Sequence, residues 1–199
     1  MTIKYAKQQF RSLEEMILAA SETLKPSERL TVSEAAAKYR YIKNPPAYTG
    51  NWSNEKTPYL VEIMDTLTSL DYNGIVFVGP ARVGKSDIFY NWLLHSAICD
   101  PGDMIFYAMT REVARDISQG DLGKVFRHST KLGEALVQGR NNDNTFDKRF
   151  RSGMRLLMRW PTITELSGKT LPRVWFADYD RVEDADDVAK EGPMFDLGM

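Results

Sequence analysis

Gly74-Ile75-Val76-Phe77-Val78-Gly79-Pro80-Ala81-Arg82-Val83-Gly84-Lys85-Ser86 is the stretch from which the rest of this chain can be read. Residues 74–79 are β-forming side chains bounded by glycines, which predicts a short buried strand. Residues 79–86 then match G-x-x-x-x-G-K-[ST] in full. Glycines let a backbone approach phosphate oxygens and turn its N–H groups inward. The next segment, from about Lys85 to Ile98, spaces Ile88, Phe89, Trp92 and Leu93 as an amphipathic helix. The positive end of its dipole then faces the same oxygens. Lys85 is placed to bridge the β- and γ-phosphates of ATP, and the Ser86 hydroxyl to ligate Mg²⁺. Gly79, Pro80, Ala81, Arg82, Val83, Gly84, Lys85 and Ser86 are therefore the candidate nucleotide-binding residues. Arg82 has two readings: solvent exposure or packing over a sheet edge, or a cis arginine that steadies charge growing on the γ-phosphate.

Upstream, residues 7–25 carry helical spacing through Phe10, Leu13, Ile17, Leu18 and Leu24. Thr31 and Glu34 have capping-box spacing before a second helix. Residues 43–52, with two prolines and a glycine, read as an irregular linker. Thr57-Pro58 predicts an N-cap and a first-turn proline, with Leu60, Ile63, Met64 and Leu67 on one helix face.

Downstream, Met104–Met109 reads as a buried strand and Thr110 as the cap of the next helix. Residues 149–160 read as two antiparallel strands turning at Ser152-Gly153, and Val174–Ala177 as a strand ending in Asp178. This order predicts an α/β domain with a mostly parallel central sheet flanked by helices. A helical N-terminal segment and linker (1–50) precedes it, the nucleotide-binding domain occupying 51–199. Asp178, after four apolar residues, is the candidate carboxylate that holds Mg²⁺ through water, unless it is simply an acidic turn after a buried strand. Asp180 is the nearest candidate base for activating water, with Glu183 behind it.

The composition suits a soluble globular protein: 199 residues, 43% hydrophobic and 27% charged. The single cysteine, Cys99, excludes an intramolecular disulfide framework and suits a reducing cytosol. No apolar run approaches the length of a membrane span. The net charge of −1 does not mark a nucleic-acid binder by itself. Its distribution says more. Residues 140–159 hold six basic side chains against Asp143 and Asp147, whereas residues 178–196 hold eight acidic ones against Arg181 and Lys190. The first segment suits phosphates and the second a metal, unless both are solvated faces whose charges cancel. Arg149, Arg151 and Arg155 are the candidate DNA-backbone contacts.

Taken together, these motifs resemble the lambda-like (GpA-type) family of tailed-phage terminase large subunits. The resemblance rests on GPARVGKSD after the apolar run, TPYLVEIMDTL upstream and FADYDRVEDADDVAKEGPMFDL downstream. PGDMIFYAMTREVARD, TFDKRF and LSGKTLPRVWF also fit, and the whole runs from about Ser33 to Leu197. It implies a P-loop NTPase fold and an ATP hydrolase that packages double-stranded viral DNA into a procapsid, in the host cytoplasm. The implied partners are the small terminase subunit, the capsid portal and further copies of the chain in a ring. It also implies that adenine lies near Trp52 and Tyr59, although both fit equally well as core residues at a helix start.

Two departures qualify the resemblance. The usual glutamate beside the aspartate corresponding to Asp178 is replaced by Tyr179. The chain also ends at Met199, before the coupling strand and nuclease carboxylates that the resemblance implies. Nuclease activity is therefore not expected of these residues, and slow turnover of bound ATP is. The competing readings are a non-hydrolysing nucleotide- or partner-binding remnant and a helicase-like P-loop ATPase of another lineage. The latter lacks its further motifs here.

Overall fold

A computed structural model describes residues 12–14, 16–17, 27–139, 141–167 and 171–179. The first helix, α1 (Val32–Tyr39), begins as its sequence signal requires. The Thr31 hydroxyl accepts from the Glu34 amide, and the Glu34 carboxylate accepts from the Thr31 amide at 2.9 Å. Most of the helix expected over 7–25, including Phe10, Leu18 and Leu24, lies outside the described residues. Leu13 and Ile17 are exposed.

The stretch expected to be an irregular linker is a β-hairpin. β1 (Tyr41–Asn44) pairs antiparallel with β2 (Tyr48–Asn51) around Pro45-Pro46, which are joined by a cis peptide bond. The prolines sit in the turn, where no ladder donor is needed, so they punctuate the pairing without preventing it. A 3₁₀ turn (Pro58–Leu60) then leads into α2 (Val61–Thr66). Pro58 occupies the first turn as expected, but Thr57 caps nothing, its hydroxyl turning back to the Ser53 carbonyl at 3.5 Å.

The 14-residue helix α3 (Lys85–Ile98) buries Ile88, Phe89, Trp92 and Leu93, as its spacing requires. It is more central than an amphipathic surface helix, because every residue from Ile88 to Ala97 is buried. β3 (Met104–Tyr107) follows, with all four residues buried. The Thr110 hydroxyl accepts from the Val113 amide at 3.3 Å and so caps α4 (Arg111–Asp116). A π-helical turn (Ile117–Leu122) joins α4 to α5 (Gly123–His128), and α6 (Thr130–Ala135) follows. β4 (Asp147–Arg149), β5 (Arg155–Arg159), α7 (Ile163–Ser167) and β6 (Arg173–Phe176) complete the described elements.

The four-stranded sheet has the order β4-β5-β3-β6. β3 is parallel to both β5 and β6, and β4 is antiparallel to β5. The sheet is therefore mixed, with two parallel pairings and one antiparallel pairing among the described residues. Side-chain alternation divides two cores. Met104, Phe106, Ala108, Leu156 and Met158 join α1, α2 and α3 in the larger one. Ile105, Tyr107 and Leu157 face the other way, toward Leu166 of α7. Such two-sided burial is the requirement of parallel strands.

The run Ile75–Val78 is not the buried strand that its composition predicts. No strand is assigned to it, and Val76 and Val78 are 87% and 89% exposed. Phe77 alone of these packs against the larger core. β-Propensity describes how well a side chain fits a pleated surface. The ladder itself needs a partner strand, and among the described residues β6 pairs only with β3.

Candidate nucleotide-binding site

The loop 79–86 closes onto the start of α3 through backbone that few residues adopt. Gly84 has φ +89° and Arg82 has φ +67°, both left-handed. The positive φ favours glycine here, and a Cβ on Gly84 would stand 2.8 Å from Leu60 Cδ1, so the leucine methyl would have to shift to admit it. The Lys85 ammonium turns back across the loop and donates to the Gly79 carbonyl at 2.8 Å. No side chain caps the start of α3. That leaves its first-turn amides without a side-chain acceptor, the situation in which a helix start can take an anion. Ser86 and Arg82 are exposed beside them.

The floor of the loop comes from the 3₁₀ turn. Leu60 is fully buried against Gly84, and the Tyr59 hydroxyl donates to the Val83 carbonyl at 3.4 Å. Tyr59 is 56% exposed, so its ring can be reached from solvent. Trp52 is only 5% exposed, lies in the main core and donates from Nε1 to Asn54 Oδ1 at 2.8 Å. Of its two readings, the structure places it in the core.

The sheet topology brings Asp178 to the same end as this loop. Residues 99–103 join the C-terminus of α3 to the start of β3, and that connection also meets the start of β6. There Arg173 donates to the Asp100 and Gly102 carbonyls at 2.7 and 3.3 Å and pairs with the Asp100 carboxylate. α3 then crosses the strands, Phe89 lying 4.6 Å from Phe106 and 5.6 Å from Trp175 between ring centroids. Its N-terminus, with Lys85 and Ser86, therefore sits over the C-terminal ends of β3 and β6. Asp178 leaves β6 at that end, exposed and with φ +48°. Asp180 and Glu183 lie outside the described residues.

One ion pair beside the loop, buried at Arg40 and half-exposed at Asp87, escaped sequence reasoning. Arg40, 4% exposed at the end of α1, donates through Nη2 to Asp87 Oδ1 at 3.1 Å, and its guanidinium lies 5.4 Å from the Tyr90 ring centroid. Burial pushes the Asp87 carboxyl up and the Arg40 guanidinium down, and their attraction offsets part of both shifts. Nothing in the spacing of residues 40 and 87 signals the contact.

Three of the six basic residues of the segment are neutralised within the fold. Lys148 is buried and bonds Asp143 at 2.8 Å. Arg155 donates twice to Asp103 Oδ2, at 2.9 and 2.6 Å. Arg159 reaches Asp147 at 2.6 Å and Glu165 at 3.1 Å. Arg149 and Arg151 stay exposed, at the end of the β4–β5 hairpin where β5 begins. That is the opposite end of the sheet from the 79–86 loop. Arg140 lies outside the described residues.

Among the described residues, no helix is long and apolar enough to cross a membrane. Residues 46–198 match the family model described as phage terminase large subunit gpA, ATPase domain. No curated protein matches the chain.

Proposed function

Because the chain belongs to the phage terminase large subunit gpA ATPase-domain family, we propose that residues 79–86 are its P-loop, and that ATP hydrolysis there drives double-stranded viral DNA into a procapsid in the host cytoplasm. What supports this reading is a chain topology that directs two features to the same end of the sheet. These are the glycine-built loop with its uncapped helix start and the carboxylate that follows β6. Neither is informative alone, since helix starts and acidic turns are common.

In this reading Lys85 holds the β- and γ-phosphates, and Ser86 with Asp178 would hold Mg²⁺. The metal would supply charge neutralisation at the phosphate oxygens. Phosphoryl transfer is catalysed by positioning and charge stabilisation, so the residues that orient the loop matter as much as those that touch phosphate. Arg82 is exposed at the turn of the loop in a conformation that disfavours non-glycine residues. Strain of this kind collects at ligand clamps, which favours the cis-arginine role over simple exposure. Tyr59, and not Trp52, is the aromatic face open to adenine. Asp180 is the proposed base, with Glu183 behind it. The proposed partners are duplex DNA, the small terminase subunit, the capsid portal and further copies of the chain.

A coupled ATPase assay, run with and without duplex DNA and with and without Mg²⁺, tests the proposal. Mg²⁺-dependent turnover that rises on adding DNA is expected. Turnover indifferent to DNA at every salt concentration would sink the packaging role and leave only a nucleotide hydrolase.

A further inference from the structure

Arg40 is a cation removed from water at a place where the backbone is held from both sides. Its amide donates to the Ala36 carbonyl and ends α1. Its carbonyl accepts from the Trp52 amide at 2.9 Å, extending the β1–β2 pairing by one step. The neighbouring Tyr41 amide donates to Ser129 Oγ at 3.1 Å. The base of the hairpin, the end of α1 and the start of α6 therefore meet at this residue. From that anchor the guanidinium reaches Asp87, which follows Ser86 directly in the first turn of α3. Arg40 Nε has no partner, so Asp87 and the Tyr90 ring face are the main groups that hold the charge.

We propose that Arg40 is a positioning residue for the phosphate-binding loop: through Asp87 it fixes the first turn of α3, and so the direction in which Lys85 and Ser86 present their ammonium and hydroxyl. The role rests on the P-loop reading above. A helix without a side-chain cap frays most readily in its first turn, and that turn carries both residues. A fork-shaped donor locked by packing suppresses the fraying. The same contact ties the base of the 41–51 hairpin to the first turn of α3.

Simple electrostatics and positioning make opposite demands on Asp87. Removing a negative charge beside bound triphosphate would tighten ATP binding if only Coulombic repulsion mattered. If Asp87 is the handle by which Arg40 sets the first turn, Asp87→Asn weakens binding instead. Arg40→Lys keeps the charge and loses the planar fork, so it too weakens binding under positioning and leaves it unchanged under electrostatics.

The experiment is calorimetric titration of the full chain and of Asp87→Asn, Arg40→Lys and Lys85→Ala with ATP, with and without Mg²⁺. Circular dichroism melts establish folding. The expected result is a loss of roughly tenfold in Mg·ATP affinity for Asp87→Asn and Arg40→Lys. Affinity without Mg²⁺ should change less, because Ser86 acts on the metal. The double variant should lose no more than either single one. Unchanged or tighter Mg·ATP binding by folded Asp87→Asn overturns the proposal. Should Asp87→Asn fail to fold, unchanged binding by Arg40→Lys overturns it equally. Equal binding by wild type and Lys85→Ala would instead remove the P-loop reading on which the proposal stands.

Discussion

The Lys85 ammonium donates to the Gly79 carbonyl at 2.8 Å, closing the loop from its last turn onto its first residue. The contact holds the cation across the concave side of the loop, where a phosphate oxygen would replace the carbonyl as acceptor. Lys85→Ala removes a charge-assisted contact worth about 1.5–3 kcal/mol. ATP affinity should fall about tenfold or more, measured by calorimetry. The far-ultraviolet circular dichroism should stay unchanged, because the side chain contributes no core packing. Unaltered affinity would show that phosphate is not bound here.

Gly84→Ala tests the loop from the backbone side. The left-handed φ of +89° and the 2.8 Å approach to Leu60 Cδ1 act together against a methyl group. A cost of about 1–2 kcal/mol in urea-induced unfolding is expected from the conformation alone. A variant as stable as wild type, with normal ATP binding, would refute this loop geometry.

Asp178 and Asp180 should separate by role. Asp178→Asn is expected to weaken Mg·ATP binding, because the side chain leaves β6 at the end of the sheet where Ser86 lies. Asp180→Asn should spare binding and slow turnover. Titration and turnover giving the reverse pattern would exchange the two assignments.

The basic hairpin should divide in the same way. Arg149 and Arg151 are exposed, so changing both to Ala should lower the slope of log affinity against log salt for duplex DNA by about 0.9 for each phosphate no longer neutralised. Arg155→Ala breaks the pair with Asp103 at a half-exposed site and should cost about 0.5–1 kcal/mol of stability. DNA affinity should hardly change in that variant. If Arg155→Ala and not the other two weakens DNA binding, the hairpin is engaged in a different arrangement.

His95 makes stability depend on pH. Its Nε2 lies 2.8 Å from the Leu30 carbonyl and donates to it, while Nδ1 is buried without a partner. Burial lowers its pKa below the ordinary 6.5. Between the folded and unfolded values the unfolded chain binds more protons, so this contribution is fully present above pH 6.5 and is lost as the pH falls below it. Urea melts from about pH 7.5 to about pH 5.5 should show this decline, and His95→Gln should flatten it. An equal decline in the variant would assign the effect to other groups.

Much of the site is legible in the sequence because its signals are local. The glycines, Lys85 and Ser86 act within one loop and the first turn of a helix, and the Thr31–Glu34 box works across three residues. The apolar run from Met104 to Met109 likewise marks a central strand by its own composition. What the sequence by itself determined is therefore the turn into the helix at 79–86, that helix and the central strands, the binding of phosphate there being the proposal. Only the tertiary structure decided that Trp52 is core and Tyr59 is open, and that Arg155 and Arg159 are neutralised within the fold. It also joined Arg40 to Asp87, which stand 47 residues apart. The run Ile75–Val78 shows the reason most plainly. Helix caps and turns are completed by neighbours in the chain, whereas a strand, or a pair such as Arg40–Asp87, forms only when a distant segment supplies the partner.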